Sequence, residues 1–159
     1  MTSSYLIVFA AALGIGIVAG LRSLTAPAVV AWAAYLGWLN LHGSRLAFIG
    51  SIWATIIFSI FAVGELIGDK LPHTPKRTAP FGLMARIVTG GLCGACLCAA
   101  SGQSSGIGAL FGAIGGVIGA FAGYELRRRL VNALGVKDFP VAICEDLVAI
   151  GLAFFIVSR

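Results

Sequence analysis

Six acids occur in this chain of 159 residues, and four stand where a carboxylate could do chemistry. Glu145 and Asp146 are adjacent in "VAICEDLVAIGLAFFIVSR" (141–159), and Glu65 and Asp69 lie four apart in "GELIGDKLP". Four residues on a helix return to one face, so Glu65 and Asp69 project together. Carboxylates inside an apolar segment bind protons or cationic groups, or pair with cations. Their depth decides what they cost. Lys70 and Pro72 mark the end of the segment holding Glu65, which puts that residue about 7 Å inside at ~1.5 Å per residue. Glu145 is more demanding, because only residues 139–158 are available to cross a core of roughly 30 Å. It therefore lies about 9 Å inside, at up to ~2.5–3.5 kcal/mol for a charge at the centre and less near the edge. Glu125 precedes Arg129 by four, which predicts a surface ion pair without further purpose.

The cations that could meet these acids are Arg86, Arg22 and the run Arg127 to Arg129. The expectation is that Glu65, Arg86 and Glu145 converge in a polar cavity open to the cytoplasm, with Arg22 nearby and Asp69 and Asp146 at the same end. The carboxylates would handle a proton or cationic group, and the arginines an anionic one. An ion-pair network that only pins helices together is the competing reading. Exchanging the charges of Arg86 and Glu145 separates the two, since full rescue favours pinning.

Other motifs carry less. "CGACLC" (Cys93, Cys96, Cys98) has thiolate spacing, but a metal would need more ligands and deprotonation within an apolar span. With Cys144, these cysteines read as reduced and buried, and no metal or cofactor is expected. His42 and His73 fall in loops on opposite sides and cannot share a zinc ion. There is no G-x-S-x-G nucleophile turn, no strand and Lys–Ser/Thr around the glycines for a phosphate loop, and no Asp-rich metal motif. No enzyme is indicated. The basic loop "HTPKRTAP" (73–80) reads as a topology signal touching anionic headgroups, with a flap over the cavity as the alternative. "GLRSLTAP" (20–27) contains Gly20 and Pro27, which interrupt helices; broken helices often line transport sites.

The elements that must position these residues are membrane segments. Of the chain, 59% is hydrophobic and only 11% charged, against about 25% charged in soluble domains. The uncharged runs 1–21, 23–44, 46–64, 87–124 and 147–158 allow nearly the whole chain to lie in a bilayer. The net charge of +5 lacks aromatic interleaving, so nucleic acid is not an expected partner. The N-terminus has no basic region before its apolar run, so a cleaved signal is not expected. Six apolar segments can be drawn, at about 5–21, 25–40, 46–69, 82–101, 106–126 and 139–158. The first two could form one broken helix, giving five crossings rather than six. Basic residues place loops 70–81 and 127–138 in the cytoplasm. With six crossings, two sets of three run in opposite senses, as in a 3+3 inverted repeat. In "GIGALFGAIGGVIGAFAG" (106–123), Gly108, Gly112 and Gly116 form one row and Gly115, Gly119 and Gly123 another. Such rows allow close helix packing on two sides, and an exposed 108/112/116 row would suit a homodimer.

"GLRSLTAP", "GELIGDKLPHTPKRTAP" and "ICEDLVAIG" together resemble a family of small bacterial multi-pass membrane proteins classed as a domain of unknown function. The resemblance covers most of the chain through short motifs. It implies a bacterial inner-membrane location and a shared role for Arg22, Glu65, Asp69, Lys70, Arg86 and Glu145, and it supplies no activity. The chain thus reads as one all-α membrane domain, residues 1–159, of five or six helices. The expected function is a small transporter, exchanger or channel for a small molecule or ion. The alternatives are a membrane scaffold or partner subunit, and an enzyme acting on lipid headgroups.

Overall fold

A computed structural model describes residues 2–68, 79–135 and 138–159. Six α-helices follow one another: α1 (Thr2–Leu21), α2 (Thr25–Tyr35), α3 (Ile52–Gly68), α4 (Pro80–Ala100), α5 (Ser105–Leu134) and α6 (Asp138–Val157), with a 3-10 turn at Ala47–Gly50. Helices α4, α5 and α6 are each long and apolar enough to cross a membrane, while Tyr5–Leu21 and α3 are shorter apolar helices. This is a multi-pass membrane protein.

Local chemistry sets the boundaries. Pro80 begins α4 at its first turn, where the missing N–H costs nothing. Gly135, at φ +60°, closes α5 and donates its N–H to Val131 O at 3.1 Å. The span expected at 106–126 therefore runs on to Leu134, so most of the expected 127–138 loop is helix. Residues 25–40 form a shorter helix than expected, because the chain turns at Gly37, whose φ of +80° favours glycine. At 11 residues, α2 rises only about 16 Å, half a bilayer core. It is a separate helix from α1, not its continuation.

Contacts between helices fix their directions. Along α2 and α3, Leu24 meets Glu65 and Trp32 meets Ser59, so these two run antiparallel. Arg22 meets Asp146 while Gly14 meets Ile156, so α1 opposes α6. Helix α5 runs with α1 and against α4. Direction thus alternates along the chain, and α1–α3 run in the opposite sense to α4–α6. The two triplets differ in size, since the 11-residue α2 corresponds in order to the 30-residue α5.

The centre is a seam of backbone on backbone. A Cβ at Gly116 would fall 2.5 Å from Arg86 O, and one at Gly90 would fall 2.6 Å from Gly112 O. On the other side of α5, Gly115 lies against Leu13 O and Gly119 against Ile17 O, while Gly16 of α1 lies against Gly112. The 108/112/116 row therefore faces α4 and the 115/119 row faces α1. This corrects the idea of an exposed 108/112/116 row serving a homodimer, because α4 already covers it. Three helices that approach so closely leave no room for water between them. Around the seam, a core of small and branched residues includes Ile15, Val18, Val30, Cys93, Ala149 and Ala153. Helix α3 stands outside it, with only Thr55 and Ala62 buried.

Candidate functional site

The seam ends where α1 stops, and there the character of the interior changes. Helix α1 terminates at Leu21 and α2 begins at Thr25, so the C-terminal carbonyls of one helix lie beside the N-terminal amides of the next. A helix carries partial negative charge at its C-terminus and positive charge at its N-terminus, with unsatisfied backbone groups at each. Each end here is met by a side chain of opposite charge from elsewhere in the chain.

Glu65, near the end of α3, supplies the anion. Its Oε1 accepts the Ser23 N–H at 2.8 Å and the Ser23 hydroxyl at 2.7 Å, and its Oε2 accepts the Leu24 N–H at 2.8 Å. Leu24 itself has no side chain able to cap α2, so Glu65 performs that task across 41 residues of sequence. Arg86, near the start of α4, supplies the cation. Its Nε donates to Gly20 O at 3.0 Å and one terminal nitrogen to Gly82 O at 2.9 Å. The other terminal nitrogen stands 3.9 Å from Glu65. The Thr25 hydroxyl, in the same first turn of α2, is buried and has no hydrogen-bond partner among the described residues.

Arg22 is fully buried and forms an ion pair with Asp146 of α6, which is 7% exposed. Glu145 points elsewhere, standing 3.6 Å from Arg127 of α5. The expected meeting of Glu65, Arg86 and Glu145 is thus corrected: Glu65 meets Arg86, while the residue of α6 that faces the bundle is Asp146. Adjacent helical residues diverge by about 100° at 3.6 residues per turn, so only one of the two acids can face inward. The sequence held a signal for the choice. Asp146 shares a stripe with Ala142, Ala149, Ala153 and Val157, all buried, whereas Glu145 is followed at helical spacing by Val148 and Leu152, both exposed. Small residues mark the side that packs against other helices in a membrane.

Ser23 is the contributor that charge-based reasoning missed, since an uncharged hydroxyl beside an arginine attracts no notice until its partner is known. Asp69 and Lys70 lie outside the described residues, as does His73. Glu125 accepts from Arg129 at 2.7 Å and from Arg128 at 3.0 Å, on the exposed side of α5. Cys93, Cys96 and Cys98 are buried free thiols, but Cys144 is exposed, contrary to its expected burial. Among the described residues, no three His, Cys, Asp or Glu side chains come together as a metal site.

Beside the charges lies a cavity of about 180 Å³ between the end of α1, α5 and α6, whose lining includes Leu126, Arg127, Leu130, Val141, Glu145 and Val148. The arrangement can therefore hold a carboxylate at a helix N-terminus, balance a buried cation, and offer an apolar recess next to an ion pair. Comparison with curated proteins and with solved structures gives no match. A family model described as a domain of unknown function, DUF4126, matches residues 9–158, and the chain belongs to that family.

Proposed function

We propose that the protein is a small transporter or exchanger whose binding charges stand at the break between α1 and α2. The observation that carries this reading is the seat of Glu65. Two backbone N–H groups, one hydroxyl and a guanidinium surround its carboxylate, a donor set suited equally to the anionic group of a mobile ligand. The Thr25 hydroxyl, which has no hydrogen-bond partner among the described residues, adds a further polar group in the same turn. When Glu65 withdraws or is neutralised, the seat is free for a small carboxylate or phosphate. Because the α1–α4–α5 seam is closed by backbone contact, a pathway that passes Glu65 runs between the seam and the α2–α3 pair. Movement of that pair would carry Glu65 out of its seat. Opposed triplets are the topology on which many transporters are built. In this reading the protein lies in a bacterial inner membrane with residues 70–81 and the C-terminal end of α5 in the cytoplasm, because Lys70, Lys76 and Arg77 fall in the first segment and Arg127, Arg128 and Arg129 in the second.

The test compares melting temperatures of purified wild type and Glu65→Gln over a series of acetate, phosphate and sulfate concentrations. A ligand that binds the folded state raises apparent stability by mass action. A folded Glu65→Gln variant that gains stability saturably from one of these anions, at concentrations that leave wild type unmoved, supports the seat. Flux of that anion in vesicles is then measured. A variant that melts early and responds to none of them refutes it.

A specific observation favours a second reading, that of a scaffold. Glu65–Arg86 joins α3 to α4, Arg127–Glu145 joins α5 to α6, and Arg22–Asp146 joins the α1–α2 break to α6, as pinning requires. In that case exchanging Glu65 and Arg86 restores both folding and cellular function, whereas a binding seat on the α2 N-terminus does not tolerate an arginine.

A further inference from the structure

Among the described residues, the charged side chains drawn into the bundle at this end occur as matched pairs: Arg22 with Asp146, Arg86 with Glu65 and Arg127 with Glu145. An anion taken into the Glu65 seat adds a negative charge to a balanced set. A charge buried without compensation is costly enough that a titratable group neutralises instead. We propose that the seat takes a monovalent anion together with one proton, which goes to the displaced Glu65 carboxylate; this rests on the anion seat proposed above.

Three observations assign the proton to Glu65. The first is what the anion replaces. The Ser23 N–H and hydroxyl, the Leu24 N–H and the Arg86 guanidinium are all engaged by Glu65, so the two carboxylate-like groups compete for one donor set. The second is what stays behind. Arg86 donates to Gly20 O and Gly82 O, and its backbone lies against Gly116 in the closed seam. That cation remains with the fixed helices and pairs with the incoming anion. Helix α3 has no basic residue, and neither have α2 and the 3-10 turn on which it packs. The third is where Glu65 goes. Phe61, Val63 and Ile67, beside it on α3, are each more than half exposed, so the outward side of α3 faces hydrocarbon. A carboxylate turned that way is expensive as an anion and far less so as a neutral acid. Arg22 is the other charged group at the break, and Asp146 engages it.

The proton decides what drives transport. An anion entering alone is opposed by an inside-negative membrane potential. With its proton it crosses without net charge and follows the pH gradient.

The test follows the melting temperature of the full chain in detergent against methanesulfonate and against acetate, monovalent anions that stay ionised from about pH 6 to about pH 8. For wild type, the concentration giving half of the full stabilisation should rise about tenfold per pH unit, as uptake of one proton on binding requires. For Glu65→Gln it should be the same at every pH. Arg22→Met with Asp146→Leu removes the other pair without unbalancing the site and should keep the wild-type slope. Proton uptake by weakly buffered wild type, read with a pH indicator as the anion is added, should reach about one per chain at saturation and needs no variant. Saturable binding that is indifferent to pH and takes up no proton overturns the coupling and leaves the seat standing. A slope that persists in Glu65→Gln assigns the proton to another group and overturns it as well. No response of either protein to either anion at any pH overturns the seat and the coupling together.

Discussion

The seam around Gly112 and the charged end around Arg22 share two helices, α1 and α4, and are held by opposite means. At the seam, backbones touch because there are no side chains between them: Gly16, Gly90, Gly94 and Gly112 converge without a single Cβ among them. At the charged end, side chains do everything, and they do it across long sequence separations, as in Ser23 to Glu65 and Gly20 to Arg86. The seam has no alternative arrangement of similar energy, since close packing is lost as soon as the helices part. The charged end has several, because each donor can be satisfied by a different acceptor. One part is therefore fit to stay fixed and the other to rearrange, a division needed by a protein that moves a ligand while keeping its bilayer seal.

The comparison is broken most severely at the seam. Gly112→Leu places a branched side chain against Gly90 O and the Gly94 backbone, which cannot yield. Overpacking costs roughly 1–3 kcal/mol where side chains can adjust, and more where they cannot. No folded protein is expected in detergent, and size-exclusion chromatography of the expressed variant checks this. Second comes the buried pair. Asp146→Ala leaves Arg22 charged, fully buried and without its acid, at a cost of about 3–5 kcal/mol. The double variant Arg22→Met with Asp146→Leu should recover most of that loss, because matched apolar side chains replace both charges. Thermal melts of the three proteins decide. If the single variant melts as wild type does, Arg22 finds other compensation and the charged end is more adaptable than argued.

What the sequence made legible follows the same division. Spacing of four between glycines fixes a helix face directly, so the two-sided packing of α5 can be read from residues 108–119 without any knowledge of the partners. The Glu125–Arg129 pair is equally local. Long-range pairings are not encoded that way. Depth arguments located Glu65, Arg86 and the Glu145–Asp146 pair at one end of the membrane, but depth says nothing about rotation about the helix axis. In α6 both the buried Ala149 and the exposed Leu147 and Val148 are apolar, so hydropathy gives no phase, and side-chain size is what separates the faces. The shortness of α2 was hidden for a similar reason. Residues 36–39 are mostly apolar, and a turn at Gly37 depends on a dihedral angle that composition does not reveal.

Smaller effects sharpen the comparison. Ser23→Ala removes one hydrogen bond to the Glu65 carboxylate and leaves the two backbone N–H groups in place. Hydrogen bonds between helices in membrane proteins are typically worth only about 0.6 kcal/mol, and one to a charged group somewhat more. A small loss of melting temperature is therefore expected, while the anion response of Glu65→Gln should weaken markedly when Ser23→Ala is added. A serine that serves only folding would shift the first quantity and leave the second alone.

Glu125→Ala should do least. The carboxylate accepts from Arg128 and Arg129 at distances like those around Glu65, yet it stands on the solvent side of α5, where water competes for every contact. Surface pairs of this kind repay little for the side-chain freedom they restrict. The expected melt is indistinguishable from wild type. Because Glu125 shares its helix with Arg127, the same variant also tests whether short distance alone marks importance at this end. Should Glu125→Ala lower stability as far as Ser23→Ala does, burial would not be what separates the structural from the exposed charges, and the ranking argued from Arg22 outward would fail.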